Sequence, residues 1–336
     1  MGQTPKVSIL VPIFGVEKFI ERCAVSLFEQ TYQNIEYIFV NDCTKDKSID
    51  ILKEVVERYP TRKPQVRIIE HEKNKGLAGT RNTAVAAATG EFLMHVDSDD
   101  YVDKEIVNKS VLAQGDADAD IVIVDFKKAY PMFDKDVKHS VFSETSLYCI
   151  SVLERNEPNA IWGKLIRTSL YVDNSICCLE GSNQGEDYQV LPKLYYFAKK
   201  IINLSQCLYY YDCQNEGAYS NSFSKSKYVQ NWNSMNSVKL FFHEKGLVYR
   251  CAVDKGRLRQ TADDFIISAK SDGEASNTYY LGACKILRSI SHDLWHSVPL
   301  AKRIIFYLSP NYRLMVRYIL AFRNIHHFMM KIKSRL

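Results

Sequence analysis

Long apolar runs are missing from this chain, since no uninterrupted stretch reaches the roughly 18 to 20 residues a helix needs to span a bilayer. The N-terminal Met-Gly-Gln-Thr-Pro-Lys enters a strand pattern without the apolar core of a signal peptide, so a cytoplasmic protein is expected. Proline-rich, low-complexity and repeated segments are also absent, which excludes a fibrous or solenoid chain. The nine cysteines include an adjacent Cys177-Cys178 pair but no Cys-x-x-Cys. Neither a zinc site nor a secreted disulfide framework is expected, and most of these cysteines should be small buried apolar residues. Acid is missing from Leu294 to Leu336, where eight Lys and Arg fall. That segment makes the net charge of +5 and leaves the rest of the chain mildly acidic, so the basicity is local.

What is present suffices for a large α/β domain and an appendage. Val7 to Phe14 is an apolar, β-branched run whose Pro12 fits only where the ladder no longer needs an N–H. Glu17 to Gln30 sets Phe19, Ile20, Cys23, Leu27 and Phe28 at helical spacing; Ile35 to Val40 supplies the next strand, followed by Asn41, Asp42, Cys43 and Thr44. A helix from Asp46 to Arg58 and a strand from Val66 to Ile69 continue the alternation. Asn74 to Asn82 reads as a turn opening a small-residue helix, Thr83 to Ala88. Arg81 then falls in a first helical turn, opposed by the dipole, and wants a phosphate or carboxylate partner. Next come a helix over Lys104–Leu112, an acidic turn over Gln114–Asp120, a strand over Ile121–Phe126, a hairpin or ordered loop over 127–142, and helices over Ser146–Leu153 and Glu186–Ala198. Beyond Tyr211 the alternation fades into helices over Tyr228–His243, Arg250–Ala269 and Tyr279–Ser297, with a turn at Ser271–Asn277. The expected division is an α/β domain over 1–225 and a helical region over 226–336.

One stretch couples an apolar strand to a carboxylate cluster. Phe92 to Val96 has the character of a strand buried on both faces, and Asp97, Ser98, Asp99 and Asp100 follow at its carboxyl end, where open α/β sheets place ligands. Crowded carboxylates repel one another and are tolerated when a hard cation such as Mg2+ or Mn2+ is shared between them and a phosphate. A bare Asp-x-Asp is otherwise a solvated acidic turn. An EF-hand is excluded, because its sixth position needs Gly and Val102 stands there. The first strand ends in Pro12-Ile-Phe-Gly-Val-Glu17 rather than Gly-x-Gly-x-x-Gly, so no dinucleotide-type helix cradle is expected. Glu186 and Asp187 open a helix, where acids cap well; a carboxylate there also suits a general base that accepts a proton from an attacking hydroxyl.

In order and spacing these pieces resemble the family 2 glycosyltransferases with a GT-A fold, over about residues 6 to 220. The likeness rests on Val7 to Phe14, Glu36 to Asp42, Asn74-Lys-Gly76 with Arg81-Asn82, Gly90-Glu-Phe with Asp97-Ser-Asp99-Asp100, Trp162-Gly-Lys164-Leu, and Gly185-Glu186-Asp187. It implies a Rossmann-like, mostly parallel sheet with flanking helices, followed by a helical C-terminal region. It further implies a UDP-sugar donor gripped by Pro12, Phe14, Glu17, Asp42, Arg81, Asp97 and Ser98, with Asp42 accepting from the uracil N3–H. Asp99, with Asp97, would hold Mg2+ or Mn2+; Asp187, with Glu186 as fallback, would be the base of an inverting transfer; Trp162 and Lys164 would lie on the acceptor side. Gly15 and Asn41 depart from the Asn and Asp usual in the family, which puts the detail of base and ribose contacts in question.

The acceptor implied by analogy is a glycan or lipid-linked saccharide of bacterial surface-polysaccharide synthesis. Over 299–336, Arg313, Arg317, Asn324, His327, Lys331 and Arg335 recur near helical spacing, with Leu314, Met315, Ile319 and Phe322 on the remaining surface. That pattern suits a basic amphipathic helix on an anionic membrane, or a helix packed on the protein; no nucleic-acid partner is expected. A sugar-phosphate nucleotidyltransferase would show a Gly-rich basic loop after the first strand, and a purely binding protein would not need Asp187 beside Asp42, Asp97 and Asp99.

Overall fold

The computed structural model describes residues 4–215 and 223–333. The described chain divides into two compact units, the first formed by nine strands with their helices and the second by Leu153–Asn156 and the C-terminal helices.

The first unit alternates β1 (Val7–Ile13), α1 (Ile20–Phe28), β2 (Ile35–Asn41), α2 (Ser48–Arg58), β3 (Val66–Glu70), α3 (Gly76–Ala87), β4 (Phe92–His95), β5 (Tyr101–Val102), α4 (Ile106–Ala117), β6 (Ile121–Ala129), β7 (Asp134–Val137), α5 (Thr145–Leu153), β8 (Lys164–Arg167), α6 (Thr168–Asp173), α7 (Glu186–Phe197) and β9 (Ile201–Asp212). These strands form one sheet in the order β3-β2-β1-β4-β8-β6-β9-β5, with β7 paired to β6. Strands β1 to β4 are parallel, and β6 and β9 run the same way; β8, β5 and β7 run against them. The crossovers reverse direction around β1, so a crevice opens at the carboxyl ends of β1, β2 and β4. Alternate β1 residues Val7, Ile9, Val11 and Ile13 pack with Cys23 and Leu27 of α1, Leu52 of α2 and Ile106 of α4 in one core. Pro12 behaves as its position demands. It pairs in register with Val40, whereas the β4 register ends at Leu10–His95, so the missing N–H falls beyond the end of β4.

Several boundaries differ from the sequence expectation. Helix α3 begins at Gly76, not Thr83, so Arg81 is its sixth residue and lies in the second turn, away from the positive end of the dipole. Gly76 and Gly79 read as breakers, but the amides of Lys75 and Gly76 are capped by the Asp42 carboxylate from another element at 2.7 and 2.8 Å. Helix α4 runs on through Ala117 and stops where Asp118 takes φ +50°, so only the last part of the expected acidic turn is a turn. Strand β9, a long and mixed run of polar and aromatic residues, escaped notice because its burial comes from β6 alongside and not from local alternation. Among the nine cysteines, all free, only Cys23, Cys149 and Cys178 are buried. The other six are partly or fully exposed, so burial is not their common reason.

The second unit holds α8 (Lys225–Phe242), α9 (Leu247–Ser268), α10 (Gly273–Arg288), α11 (Leu300–Leu308) and α12 (Tyr312–Lys333). Helix α10 starts at Gly273, inside the expected turn, because Asp272 in extended conformation precedes it; the expected single helix to Ser297 breaks after Arg288 into a short 3-10 turn. Phe265, Leu287, Trp295, Phe306, Met315 and Ile319 share its core, so α11 and α12 each pack one apolar face. Asn324, His327, Lys331 and Arg335 of the expected basic stripe lie outside the residues whose side chains are described.

Gly90 marks where β4 enters the sheet. A Cβ there would stand 2.7 Å from the Ser8 amide nitrogen and 2.8 Å from the Lys6 carbonyl oxygen. Glu36 fastens the same corner, accepting from Ser8 Oγ at 2.5 Å, the Thr89 amide at 2.6 Å and Lys6 Nζ at 3.1 Å. Gly90→Ala is therefore expected to destabilise the protein by roughly 1–3 kcal/mol, seen as a lower urea midpoint at unchanged slope. An unmoved midpoint would mean that the β1 backbone yields without cost.

Candidate active site

The turn after β4 carries the acidic cluster, and it is braced from strands and helices far away in sequence. Asp100, which had no assigned role, is buried; its carboxylate accepts from Tyr209 OH at 2.7 Å and from the Asp212 amide at 2.8 Å. Tyr209 OH also accepts from the Asp97 amide at 3.2 Å. Arg22 of α1 pairs with Asp212, donates to the Asp99 carbonyl oxygen at 3.3 Å and lies 4.2 Å over the Tyr101 ring. Ser98 is buried within the turn. The turn is thus fixed on both sides, which leaves Asp97 and Asp99 presented at the sheet edge.

Arg81 draws the other predicted acids together. Its Nη2 lies 3.0 Å from Asp97 Oδ1 and 3.6 Å from Glu186 Oε1, and its Nε lies 3.5 Å from Asp187 Oδ1. Its anionic partners are therefore carboxylates of the chain itself, and with 4% exposure it is a buried hub. Burial works against its charge, but Asp97, Asp187 and Glu186 outweigh that and raise its pKa well above the usual value. One cation cannot neutralise three anions, so protons must redistribute. Burial first, then the charge of Asp187, pushes Glu186 up to about 8. Asp187 is also raised by burial, but Arg81, the Ile161 amide donating to its Oδ2 at 3.2 Å, and Lys164 all favour its charged form. The shared proton accordingly belongs to Glu186, and Asp187 is the ionised carboxylate.

On the nucleotide side, Asp42 is also buried. Besides capping α3 it accepts from His71 Nδ1 at 2.8 Å, and His71 Nε2 reaches Thr83 Oγ1 at 2.9 Å. Asn41 Oδ1 accepts from the Thr44 amide at 2.9 Å, shaping the loop after β2. Gly15 sits at φ +69°, which explains the departure there: both glycine and asparagine tolerate the left-handed region. Phe14 is exposed beside it, while Pro12 lies buried in the sheet. Glu17 accepts from the Lys47 amide at 3.1 Å, joining the loops after β1 and β2.

Two expected acceptor-side residues are interior. Trp162 stacks on Tyr209 with ring centroids 4.3 Å apart, and its exposure is only 8%. Lys164, 1% exposed, donates from Nζ to the Ala160 and Trp162 carbonyl oxygens at 2.7 and 3.3 Å. Burial pushes its pKa down to about 8, with Asp187 and Glu157 pulling the other way. It cannot touch an acceptor; it holds the short loop whose Ile161 amide reaches Asp187. Arg22, His71, Tyr209 and Asp212 are functional supports that no local spacing signals, because their partners lie far along the chain.

Asp97 and Asp99 fit a hard divalent ion. Burial, then repulsion from Asp97, raises the Asp99 pKa, partly relieved by the Asn215 amide donating at 2.9 Å. A cation is what such a carboxylate lacks. Among the described residues no group of three acidic, His or Cys side chains forms a ready-made cage.

A family model described as Glycosyl transferase family 2 matches residues 8–178. EpsH of Bacillus subtilis (strain 168) is 30% identical over 216 residues, covering 62% of this chain and 61% of EpsH. The poly(ribitol-phosphate) beta-N-acetylglucosaminyltransferase TarS of Staphylococcus aureus (strain Mu50 / ATCC 700699) is 31% identical over 220 residues, covering 65% of this chain and 37% of TarS. The chain therefore spans less than two thirds of either curated relative. The crystal structure of S. aureus TarS 1-349 in complex with UDP-GlcNAc matches with a TM-score of 0.73 at 20% identity, over 95% of this chain and 92% of that one. That likeness carries the fold.

The Arg81 cluster makes stability pH-dependent. A carboxyl raised from 4.5 to about 8 holds a proton in the folded state that the unfolded chain releases, so its stabilising effect is lost as pH rises across that window. Glu186→Gln is expected to flatten the loss of stability between these two pH values, measured by urea unfolding at both ends. Parallel profiles for the two proteins would place the proton elsewhere.

Proposed function

The chain belongs to the family 2 glycosyltransferases and has their GT-A fold; from that premise we propose that it moves a sugar from a UDP-sugar to a hydroxyl of a glycan or lipid-linked saccharide, with inversion, in bacterial surface-polysaccharide synthesis. The observation that carries this is the sharing of Arg81 among Asp97, Glu186 and Asp187, which leaves Asp187 ionised beside the edge that presents Asp97 and Asp99. A uridine donor is supported by the fold shared with TarS in its complex with UDP-GlcNAc. The polysaccharide setting is supported by the poly(ribitol-phosphate) acceptor in that relative's name.

Asp187 Oδ1 has no hydrogen-bond partner and takes the proton of the acceptor hydroxyl. The acceptor oxygen bonds to the anomeric carbon as the bond from that carbon to the diphosphate oxygen breaks, its electron pair leaving with UDP. No Ser or Cys nucleophile is needed for one displacement. Arg81 and the Ile161 amide hold Asp187 ionised until it accepts the proton, and neutral Glu186 adds no second charge. Asp99 and Asp97 would hold Mg2+ or Mn2+, which when bound offsets the charge of the departing diphosphate. Asp187→Asn should lower kcat by about 10² to 10⁴-fold with donor affinity retained, measured as UDP release at saturating donor. Near-normal turnover would remove the base from this position.

We extend the proposal to the cytoplasmic face of a membrane. Among the described residues no helix is long and apolar enough to cross one. Helix α12 buries Met315 and Ile319 yet leaves Leu314, Leu320 and Phe322 exposed with Arg313 and Arg317. It therefore packs on its own unit and keeps a second, basic and apolar face suited to anionic lipid. Arg313→Glu with Arg317→Glu should weaken binding to phosphatidylglycerol vesicles by about tenfold or more, read by flotation. Equal recovery of both proteins would remove the membrane role.

A further inference from the structure

On the other side of the Arg81 hub, bounded by α3, α6 and α7, lies a cavity of about 380 Å³. Its walls are largely apolar, with Val85, Ala86, Ile161, Ile176 and Val190 among them. Four polar atoms of its lining residues have no hydrogen-bond partner: Arg81 Nε and Asp187 Oδ1, which face each other at 3.5 Å, and Arg81 Nη1 and His95 Nδ1, whose side chains are more than nine tenths buried. The other His95 nitrogen is occupied, with Nε2 3.1 Å from Tyr171 OH. Burial, followed by the neighbouring Arg81 charge, drives the His95 pKa well down, so the ring is neutral.

These features restrict what can occupy the space. A buried guanidinium N–H left unbonded is costly, so the occupant must offer an acceptor atom. The ionised Asp187 on the same lining repels an anion, and Arg81 repels a cation, so it must be neutral. A hydroxyl-covered group would leave its hydroxyls unbonded against Val85, Ile176 and Val190. Among the common substituents of sugars, the acetamido group joins a strong neutral acceptor oxygen to a small apolar methyl.

We propose that this cavity receives the N-acetyl substituent of an N-acetylhexosamine, its carbonyl oxygen accepting from Arg81 Nη1 and its methyl packing on Val85 and Val190. The assignment rests on the transferase reading, because the sugar that bears the group must sit at Asp187. Donor and acceptor sugars can both carry this group, and the test separates them. Filling by water alone is its plain rival: a cavity of this size with mostly apolar walls gives water few of the partners it needs.

Ala86 is exposed on the lining, so Ala86→Phe narrows the cavity without altering the hub; Ala86→Leu is the milder variant should Phe lower the melting temperature. With the full chain and Mg2+ or Mn2+ present, the donor arm compares UDP release from UDP-N-acetylglucosamine and UDP-glucose. The acceptor arm compares p-nitrophenyl N-acetylglucosaminide with p-nitrophenyl glucoside at one fixed donor. The expected result is a preference of about tenfold or more in kcat/KM for the acetamido sugar in one arm. In the narrowed variants it should fall to about twofold, with the glucose compound unchanged. Equal rates in both arms, or a preference that the variants leave intact, overturn the proposal. If no sugar is transferred at all, the transferase reading fails instead, and thermal stabilisation by UDP-N-acetylglucosamine, UDP-glucose, N-acetylglucosamine and glucose decides the cavity. An acetamido preference erased by the variants supports it, and no preference overturns it.

Discussion

One guanidinium shared by three buried carboxylates is the constraint around which the first unit is arranged. Arg81 cannot satisfy Asp97, Glu186 and Asp187 together, and removing any of these charges from water is costly without a partner. The conflict is resolved by sorting the acids. Glu186 retains a proton, Asp187 gains an amide and the field of Lys164, and Asp97 faces the guanidinium from the edge of the sheet. A polar neighbour thus differs from an adjacent residue in role because of what each touches, not because of its own chemistry.

The rest of the unit holds that arrangement still. Lys164 fixes the 160–162 loop, whose amide selects the orientation of Asp187. Tyr209 and Asp100 fasten the acidic turn to β9, and Trp162 stacks on Tyr209, so the two supports meet in one aromatic cluster. Asp42 caps α3 at the end from which Arg81 projects a turn and a half later. Carboxylates that a sequence reading assigns to ligand contact can therefore also be structural members.

This bears on what the sequence made legible. The parallel strands were visible because a buried strand is apolar on both faces, and the acids were visible because they stand at strand or helix ends. Arg81, Asp97 and Asp187 were identified individually, but their convergence depends on three elements meeting in space. The resemblance sets Lys164 on the acceptor side, whereas its ammonium is buried on two carbonyl oxygens that no local pattern announces. Strand β9 carries no local signal because its burial is set by β6, and neither does Arg22, whose partner Asp212 is 190 residues away. Local pattern encodes elements well; buried polar networks are encoded only by the completed fold.

The tie between Asp100 and β9 also has a kinetic side. Tyr209 and Asp100 are 109 residues apart, and Arg22 and Asp212 are at opposite ends of the unit. Contacts of such long range form slowly, because chain entropy is spent before they reward it. During synthesis the strands β1 to β4 leave the ribosome and can pair while the acidic turn still lacks its fastening. Mutually repelling carboxylates can then stay hydrated and apart until β9 arrives, so the strand that completes the sheet is also the one that fastens the acidic turn.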